Sequence, residues 1–146
     1  MTAVDRPRRE DFPYIREIPT RWMDNDVYGH VNNVTYYSFF DTVVNRHLIE
    51  EAGLNPAASR EIGLVVETQC QYFRELSFPE VIEAAMGVTK LGRTSVIYEI
   101  GLFKKGEDDI AAFGHFVHVY VDRETRRPVE LPERVRTALQ PLVTHG

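Results

Sequence analysis

Tyr36, Tyr37, Phe40, Val43, Val44, His47 and Leu48 recur at three- and four-residue spacings. That period gives a helix one apolar stripe, which has to be buried. Gly53 ends the segment, because a helix stops readily in a left-handed residue that glycine adopts without steric cost. Directly upstream, residues 21–33 read RWMDNDVYGHVNN, and either Asn32 or Asn33 can cap the helix. The rest of the chain therefore has to supply apolar surface on which this helix can lie.

Strands supply it. Residues 15–22 suit a short first strand, in which Pro19 requires an edge or a bulge because it has no N–H to donate. Farther on, Ile62, Leu64, Val66, Thr68, Cys70 and Tyr72 alternate with Glu67, Gln69 and Gln71, which predicts a strand with the first set on its apolar face. Residues 81–89, 95–103 and 110–121 continue as strands. The Leu91-Gly92-Arg93 turn and a charged tip over 104–109 join them, and such short links favour antiparallel pairing. The last strand is apolar on both faces, so it is expected in the middle of the sheet or against another subunit as well as the helix. Residues 133–142 predict a short terminal helix with Pro132 at its start. Residues 1–12 hold many charges and little to bury, so a mobile leader is expected, followed by a single domain over 13–146. The predicted class is α+β, with an antiparallel sheet wrapped around one long central helix.

Composition excludes several functions. At 146 residues and 43% hydrophobic content, the chain builds one core. A formal charge of -5 with no long run of Lys or Arg argues against a nucleic-acid surface. No apolar run reaches the length of a membrane span. A single cysteine, Cys70, excludes an intramolecular disulfide and suits a reducing compartment, so a cytoplasmic location is expected. Because Cys70 falls with the apolar set, a structural thiol is expected rather than a nucleophile. His115 and His118 lie three apart on a predicted strand and point to opposite faces, and His30 and His47 have no Cys or HExxH partners, so no metal site is expected.

The loop before the helix carries the chemistry. Asp24, Asp26 and His30 precede a helix N-terminus, whose free amides amount to about half a positive charge. An oxyanion can be held there while a carboxylate attacks a carbonyl or activates water. The same cluster can also serve only as turn and cap chemistry.

Arg21, Trp22, Asp24, Asp26, Gly29, His30, Val31, Asn32, Asn33 and Tyr36 together resemble the signature of hotdog-fold acyl-CoA thioesterases of the 4-hydroxybenzoyl-CoA thioesterase type. The resemblance implies a hotdog fold. It implies Asp26 as nucleophile or general base, a backbone amide around Asn33 as oxyanion donor, and His30 as an auxiliary residue. Asp24 then has a structural role, bonding loop amides or pairing with Arg21, and Asp41 is expected as a polar helix residue, with the alternative that it is the helix acid some thioesterases of this fold use. The resemblance also implies an acyl-CoA substrate, no cofactor, and a homodimer or homotetramer with sites between subunits. Tyr28, Gly29 and Tyr36 are expected beside the substrate. Val27-Tyr28 followed by His30-Val31-Asn32-Asn33 resembles the fatty-acyl branch, for which Tyr36, Tyr37, Phe39 and Phe40 offer apolar surface. Lys90 and Arg93, in the turn after the third strand, are candidate partners of the CoA phosphates. Two rivals are an enoyl-thioester hydratase or dehydratase on the same fold, and a non-catalytic acyl-CoA-binding domain.

Overall fold

The structure is a computed structural model and describes residues 6–144. Five strands, β1 (Tyr14–Pro19), β2 (Glu61–Tyr72), β3 (Val81–Leu91), β4 (Ser95–Lys104) and β5 (Ile110–Asp122), form one sheet in the order β1-β3-β4-β5-β2. Every neighbouring pair is antiparallel. Pro19 ends an edge strand, where its missing donor leaves no ladder bond unmade. The last strand β5, apolar on both faces, lies inside the sheet between β4 and β2.

Helix α1 (Thr35–Ala52) lies on one face of the sheet and buries Tyr36, Phe39, Phe40, Val43, Val44, His47, Leu48 and Ala52. Its stripe meets Met86, Tyr98, Ile100, Ala112 and Phe116 in one core. Each such large side chain contributes about 1.5–3 kcal/mol relative to exposure. The helix stops at Gly53, whose φ of 64° is left-handed, and the Leu54 N–H closes the end on the Leu48 carbonyl at 3.1 Å. Its start departs from a simple Asn cap. Val34 is the flanking residue, and Asn32 acts a turn earlier, its Oδ1 accepting from the Val34 N–H at 3.2 Å.

Three further features differ from the sequence reading. The layer over the sheet holds two helices, because α2 (Glu133–Leu139) buries Val135 and Leu139 beside α1. Its Ala138 carbonyl lies 3.0 Å from His47 Nε2, which gives that buried imidazole a polar partner. A bulge at Val66 shifts the β2–β5 register, so the alternation does not run through the strand. Thr68, Cys70 and Tyr72 pair with Phe116, Gly114 and Ala112 on the helix side, whereas Ile62 and Leu64 pair with Val121 and Val119 and face away. Finally, residues 1–5 of the expected leader lie outside the described residues, and residues 6–12 are packed. Phe12 is buried against Phe103 and Phe113, the Arg6 guanidinium stacks on Phe73, and Arg9 pairs with Glu83. The charges over this stretch conceal one buried aromatic anchor.

Cys70 is half-buried, and burial pushes its thiol up to about 11, which leaves it unreactive at neutral pH. Burial acts in the opposite direction on His118, pushing its imidazole from 6.5 down to about 4. The unfolded chain protonates this residue near its ordinary value, while the folded chain resists until about 4. Its contribution is therefore complete above pH 6.5 and is lost as the pH falls toward 4, by about 3 kcal/mol in all. Denaturation midpoints measured across that window should fall with pH, and His118→Phe should flatten the decline.

Candidate active site

The segment between β1 and α1 is folded by its own polar groups. Residues Trp22–Asp24 make a single 3-10 turn, inside which the Asp24 carboxylate is 2% exposed. It accepts the Arg21 N–H at 2.7 Å, together with Arg21 Nε at 3.1 Å and Nη2 at 2.9 Å. The Asp24 carbonyl then takes the Asn32 N–H at 2.9 Å, tying the two ends of the loop together. Between these ties the chain forms a small hairpin. Asn25 bridges Val31, the Asp26 N–H bonds the His30 carbonyl at 2.8 Å, and the return passes through Gly29 at φ 83°. A side chain at Gly29 would have space but not this backbone conformation without strain.

Asp26 is half-buried. Its Oδ1 accepts from the Tyr28 N–H at 2.8 Å and more weakly from the His30 N–H at 3.4 Å. Its Oδ2 has no partner among the described residues. The backbone amides that follow are almost all engaged: Val31 bonds Leu76, Asn32 bonds Asp24, Val34 bonds Asn32 Oδ1, Thr35 bonds Asn32 and Tyr36 bonds Asn33. Among the described residues, only the Asn33 N–H in this run has no acceptor. The Asn33 carbonyl is fixed in turn by the Tyr72 hydroxyl, which donates to it at 2.9 Å from the end of β2.

Asp26, Tyr28, His30, Asn33 and Tyr36 line one open cavity of about 1040 Å³ at the N-terminal end of α1. Tyr36 is buried at its base, its hydroxyl pushed up to about 12 by burial, and its ring meets Tyr72 edge-on at 4.8 Å. His30 Nε2 lies 2.9 Å from Glu75 Oε2. The sequence reading did not select the far wall, which comes from the end of β2, the segment after it and the β4–β5 hairpin: Tyr72, Arg74, Glu75, Leu76, Glu80 and Lys104. Chain order gave no signal for these, because only sheet pairing brings residues 72–80 and 104–111 opposite the loop. Asp41 is exposed on α1 and holds Asn45 Nδ2 at 3.0 Å.

Lys90 and Arg93 are not brought to this cavity within one chain. Ile82 pairs with Lys104 beside it, and Lys90 lies eight residues farther along β3, about 26 Å away at strand rise. Arg93 is exposed and ion-paired with Glu130 at 2.9 Å. The cations that line the cavity are Arg74, paired with Asp109 at 2.9 Å, and Lys104, paired with Glu80 at 2.9 Å. No group of three His, Cys, Asp or Glu side chains able to hold a metal occurs among the described residues.

A five-stranded antiparallel sheet against a long helix whose N-terminus adjoins an acidic loop is the arrangement of the hotdog fold. The chain belongs to the thioesterase-like superfamily, whose family model matches residues 20–139. Among solved structures it is similar to the PA5185 protein of Pseudomonas aeruginosa, with 49% identity, a TM-score of 0.94, and coverage of 96% of this chain and 98% of that one. PA2801 of the same organism, provisionally named a thioesterase, shows 26% identity and a TM-score of 0.80 over 87% of this chain and 98% of its own. Slr0204 of Synechocystis, a 1,4-dihydroxy-2-naphthoyl-CoA thioesterase, shares the fold at 14% identity, with a TM-score of 0.80 over 87% and 95% of the two chains. Family and neighbours together support thioester hydrolysis as the reaction class.

The geometry separates the two acids. Asp24 is engaged on both oxygens and holds the loop, so Asp24→Asn should destabilise the fold by about 1–3 kcal/mol, the range for a buried charged acceptor losing its bonds. A shift of the urea midpoint, with the rate per folded molecule reduced much less, is the expected result.

Proposed function

We propose that the protein is an acyl-CoA thioesterase that hydrolyses a fatty acyl-CoA to a carboxylic acid and free CoA. The observation that carries this reading is the pair of unengaged groups at the helix start. Asp26 and Asn33 line the same cavity, and Asp26 Oδ2 and the Asn33 N–H have no intrachain partner among the described residues. A thioester carbonyl bonded to the Asn33 amide gains stabilisation as negative charge develops on its oxygen, in a field already favourable to anions. The Asp26 carboxylate either removes a proton from the attacking water or attacks the carbonyl carbon itself. On the first route the new C–O bond is to water; on the second it is to Asp26, and a water then cleaves the resulting mixed anhydride to free the acid and regenerate the carboxylate. In both the C–S bond breaks, and the CoA sulfur leaves as thiolate and takes a proton from solvent.

The other residues have supporting tasks in this reading. The loop amides on Asp26 Oδ1 orient the carboxylate, and Tyr72 fixes the turn that presents the Asn33 amide. His30, paired with Glu75, borders the acyl thioester as an auxiliary group. Tyr28 borders the cavity next to the turn at Gly29, and Tyr36 with Tyr72 offers aromatic surface to the acyl chain, whereas Phe39 and Phe40, expected there from the sequence, are buried in the core. Arg74 and Lys104 meet the CoA phosphates, a role assigned here to the cations that line the cavity in place of Lys90 and Arg93. No cofactor takes part, and the reaction belongs in the cytoplasm. No helix among the described residues is long and apolar enough to cross a membrane.

A panel of acyl-CoAs assayed for released thiol should give turnover with fatty acyl substrates, and trans-2-enoyl-CoA should not be hydrated. Asp26→Asn should lower the single-turnover rate by about 10²-fold or more, the loss typical of a proton-transfer group. A hydrated product with its thioester intact would place the chain among the hydratases. Tight retention of acyl-CoA without turnover would make it a binding domain.

The working form in this proposal is a homodimer or homotetramer with sites at the subunit boundary. Strand β2 is an open edge on which Leu64, Val65 and Val66 are 37%, 46% and 59% exposed. Around the loop Trp22, Met23, Val27, Tyr28 and Val34 are all at least 70% exposed. Apolar surface on the unpaired β2 edge and on the loop beside the cavity fits coverage by a second copy. Sedimentation velocity should show a dimer or larger species at assay concentrations, and a folded, fully active monomer would remove the shared site.

A further inference from the structure

The cavity at the start of α1 is short of positive charge for the substrate proposed above. The carboxylates of Asp26, Glu75, Glu80 and Glu107 line it against two cations, Arg74 and Lys104. Those two are already neutralised, because Arg74 holds Asp109 at 2.9 Å while Lys104 holds Glu80 at 2.9 Å and Glu107 at 3.6 Å. A polyanion such as CoA needs a further cation, and the open edge of the sheet shows where one comes from. Strand β2 carries its exposed apolar residues Leu64, Val65 and Val66 near its middle, and Tyr72 at its far end lines the cavity. A two-fold interface pairs a patch with itself, so residues near mid-strand cover their own copies only when the two β2 strands overlap along most of their length. Pairing that continues this all-antiparallel sheet runs the partner's strand in the opposite sense and sets its Glu61 end beside Tyr72.

We propose, resting on the thioesterase reading, that Arg60 of the partner subunit completes this cavity and binds a CoA phosphate. Arg60 immediately precedes β2 and its side chain is 77% exposed. Among the described residues only its Nε is engaged, with Asp122 Oδ2 at 3.1 Å. Asp122 is itself held by the Glu124 and Thr125 N–H groups at 2.9 and 3.0 Å, so it steadies the guanidinium while both Nη groups stay available for a phosphate. An exposed ion pair of this kind also costs little to rearrange. Sheet order ranks the other cations at this end behind Arg60. Arg123 is spent on the Ser59 and Pro56 carbonyls, and Arg126 and Arg127 follow β5, one strand farther in. Arg93 and Lys90 belong to the start of β4 and the end of β3, two and three strands in, about 10 and 14 Å from the β2 edge at strand spacing.

The test has three arms, of which the first needs no turnover. In a Cys70→Ser background, Glu61→Cys and Gln71→Cys place two thiols about 33 Å apart within one chain at strand rise, so a short bismaleimide can join them only between subunits. The double variant should give a covalent dimer and neither single variant should, whereas an uncoupled double variant would overturn the pairing. The second arm is calorimetric titration with free CoA and with pantetheine, which lacks the phosphates. Arg60→Ala should weaken CoA by about tenfold or more, as loss of a charge-assisted bond does, and leave pantetheine unchanged. Arg60→Lys should recover part of the loss, and Glu61→Gln, which removes the acid that accompanies Arg60, should tighten CoA. The third arm mixes Asp26→Asn with Arg60→Glu subunits and assays a fatty acyl-CoA below saturation. Mixed dimers should regain about half of the wild-type rate, since one of the two sites then holds both native residues, and would regain none if Arg60 served its own chain. Unchanged CoA affinity in Arg60→Ala, or no recovery in mixed dimers, overturns this inference and leaves the thioesterase reading intact. A wild-type protein that cross-links as expected but neither binds CoA nor releases thiol from acyl-CoA overturns that reading, and the phosphate role of Arg60 with it.

Discussion

The contact on which the rest of the structure depends is that of Phe40 with β5 at Gly114. A Cβ at position 114 would lie 2.8 Å from the Phe40 ring and 1.8 Å from the Gln69 carbonyl. Helix and sheet can close at this distance only because no side chain is there. Phe40 is fully buried at the middle of the stripe, and Val43, Val44 and Leu48 continue the contact toward Gly53. With the helix fixed at this point and aligned by its stripe, its first turn arrives beside the end of β2. There Tyr72 bonds the Asn33 carbonyl. The position of the candidate site therefore follows from packing near the centre of the core, well away from any reacting group.

Among the described residues, the polar loop leaves Asp26 Oδ2 and the Asn33 N–H, both at the candidate site, without intrachain partners. Its internal bonds are numerous: Asp24 takes three donors from Arg21, Asn32 bonds the start of α1, and Asp26 Oδ1 bonds the tip of its own hairpin. A loop this well satisfied positions its remaining carboxylate oxygen and one amide without needing substrate to order them, which is the condition for electrostatic stabilisation of a developing charge.

Much of this was legible in the sequence for physical reasons that differ by element. The stripe from Tyr36 to Leu48 has a period that nothing but a buried helix explains, and Gly53 marked its end. The loop residues Asp26, Tyr28, His30, Asn33 and Tyr36 were found together because they lie within eleven positions of one another and meet in one cavity. What escaped was non-local. Arg74, Glu75 and Lys104 reach the cavity only through sheet order, which alternation alone does not specify, and Lys90 and Arg93 lie at the other end of β3 from this cavity within one chain. The bulge at Val66 interrupts a run whose composition reads as regular. Phe12 anchors a segment whose charges outnumber its apolar residues. In each of these cases a long-range contact overrides a local pattern.

The central claim is that a thioester carbonyl sits at the first turn of α1 with Asp26 beside it. A crystal structure with a fatty acyl-CoA analogue, in which a methylene replaces the thioester sulfur, tests this most directly. The account predicts the carbonyl oxygen within hydrogen-bond distance of the Asn33 amide and the Asp26 carboxylate against the carbonyl carbon. A carbonyl seated instead against Asp41 on the exposed face of α1, with the Asn33 amide and Asp26 both unengaged, would contradict it.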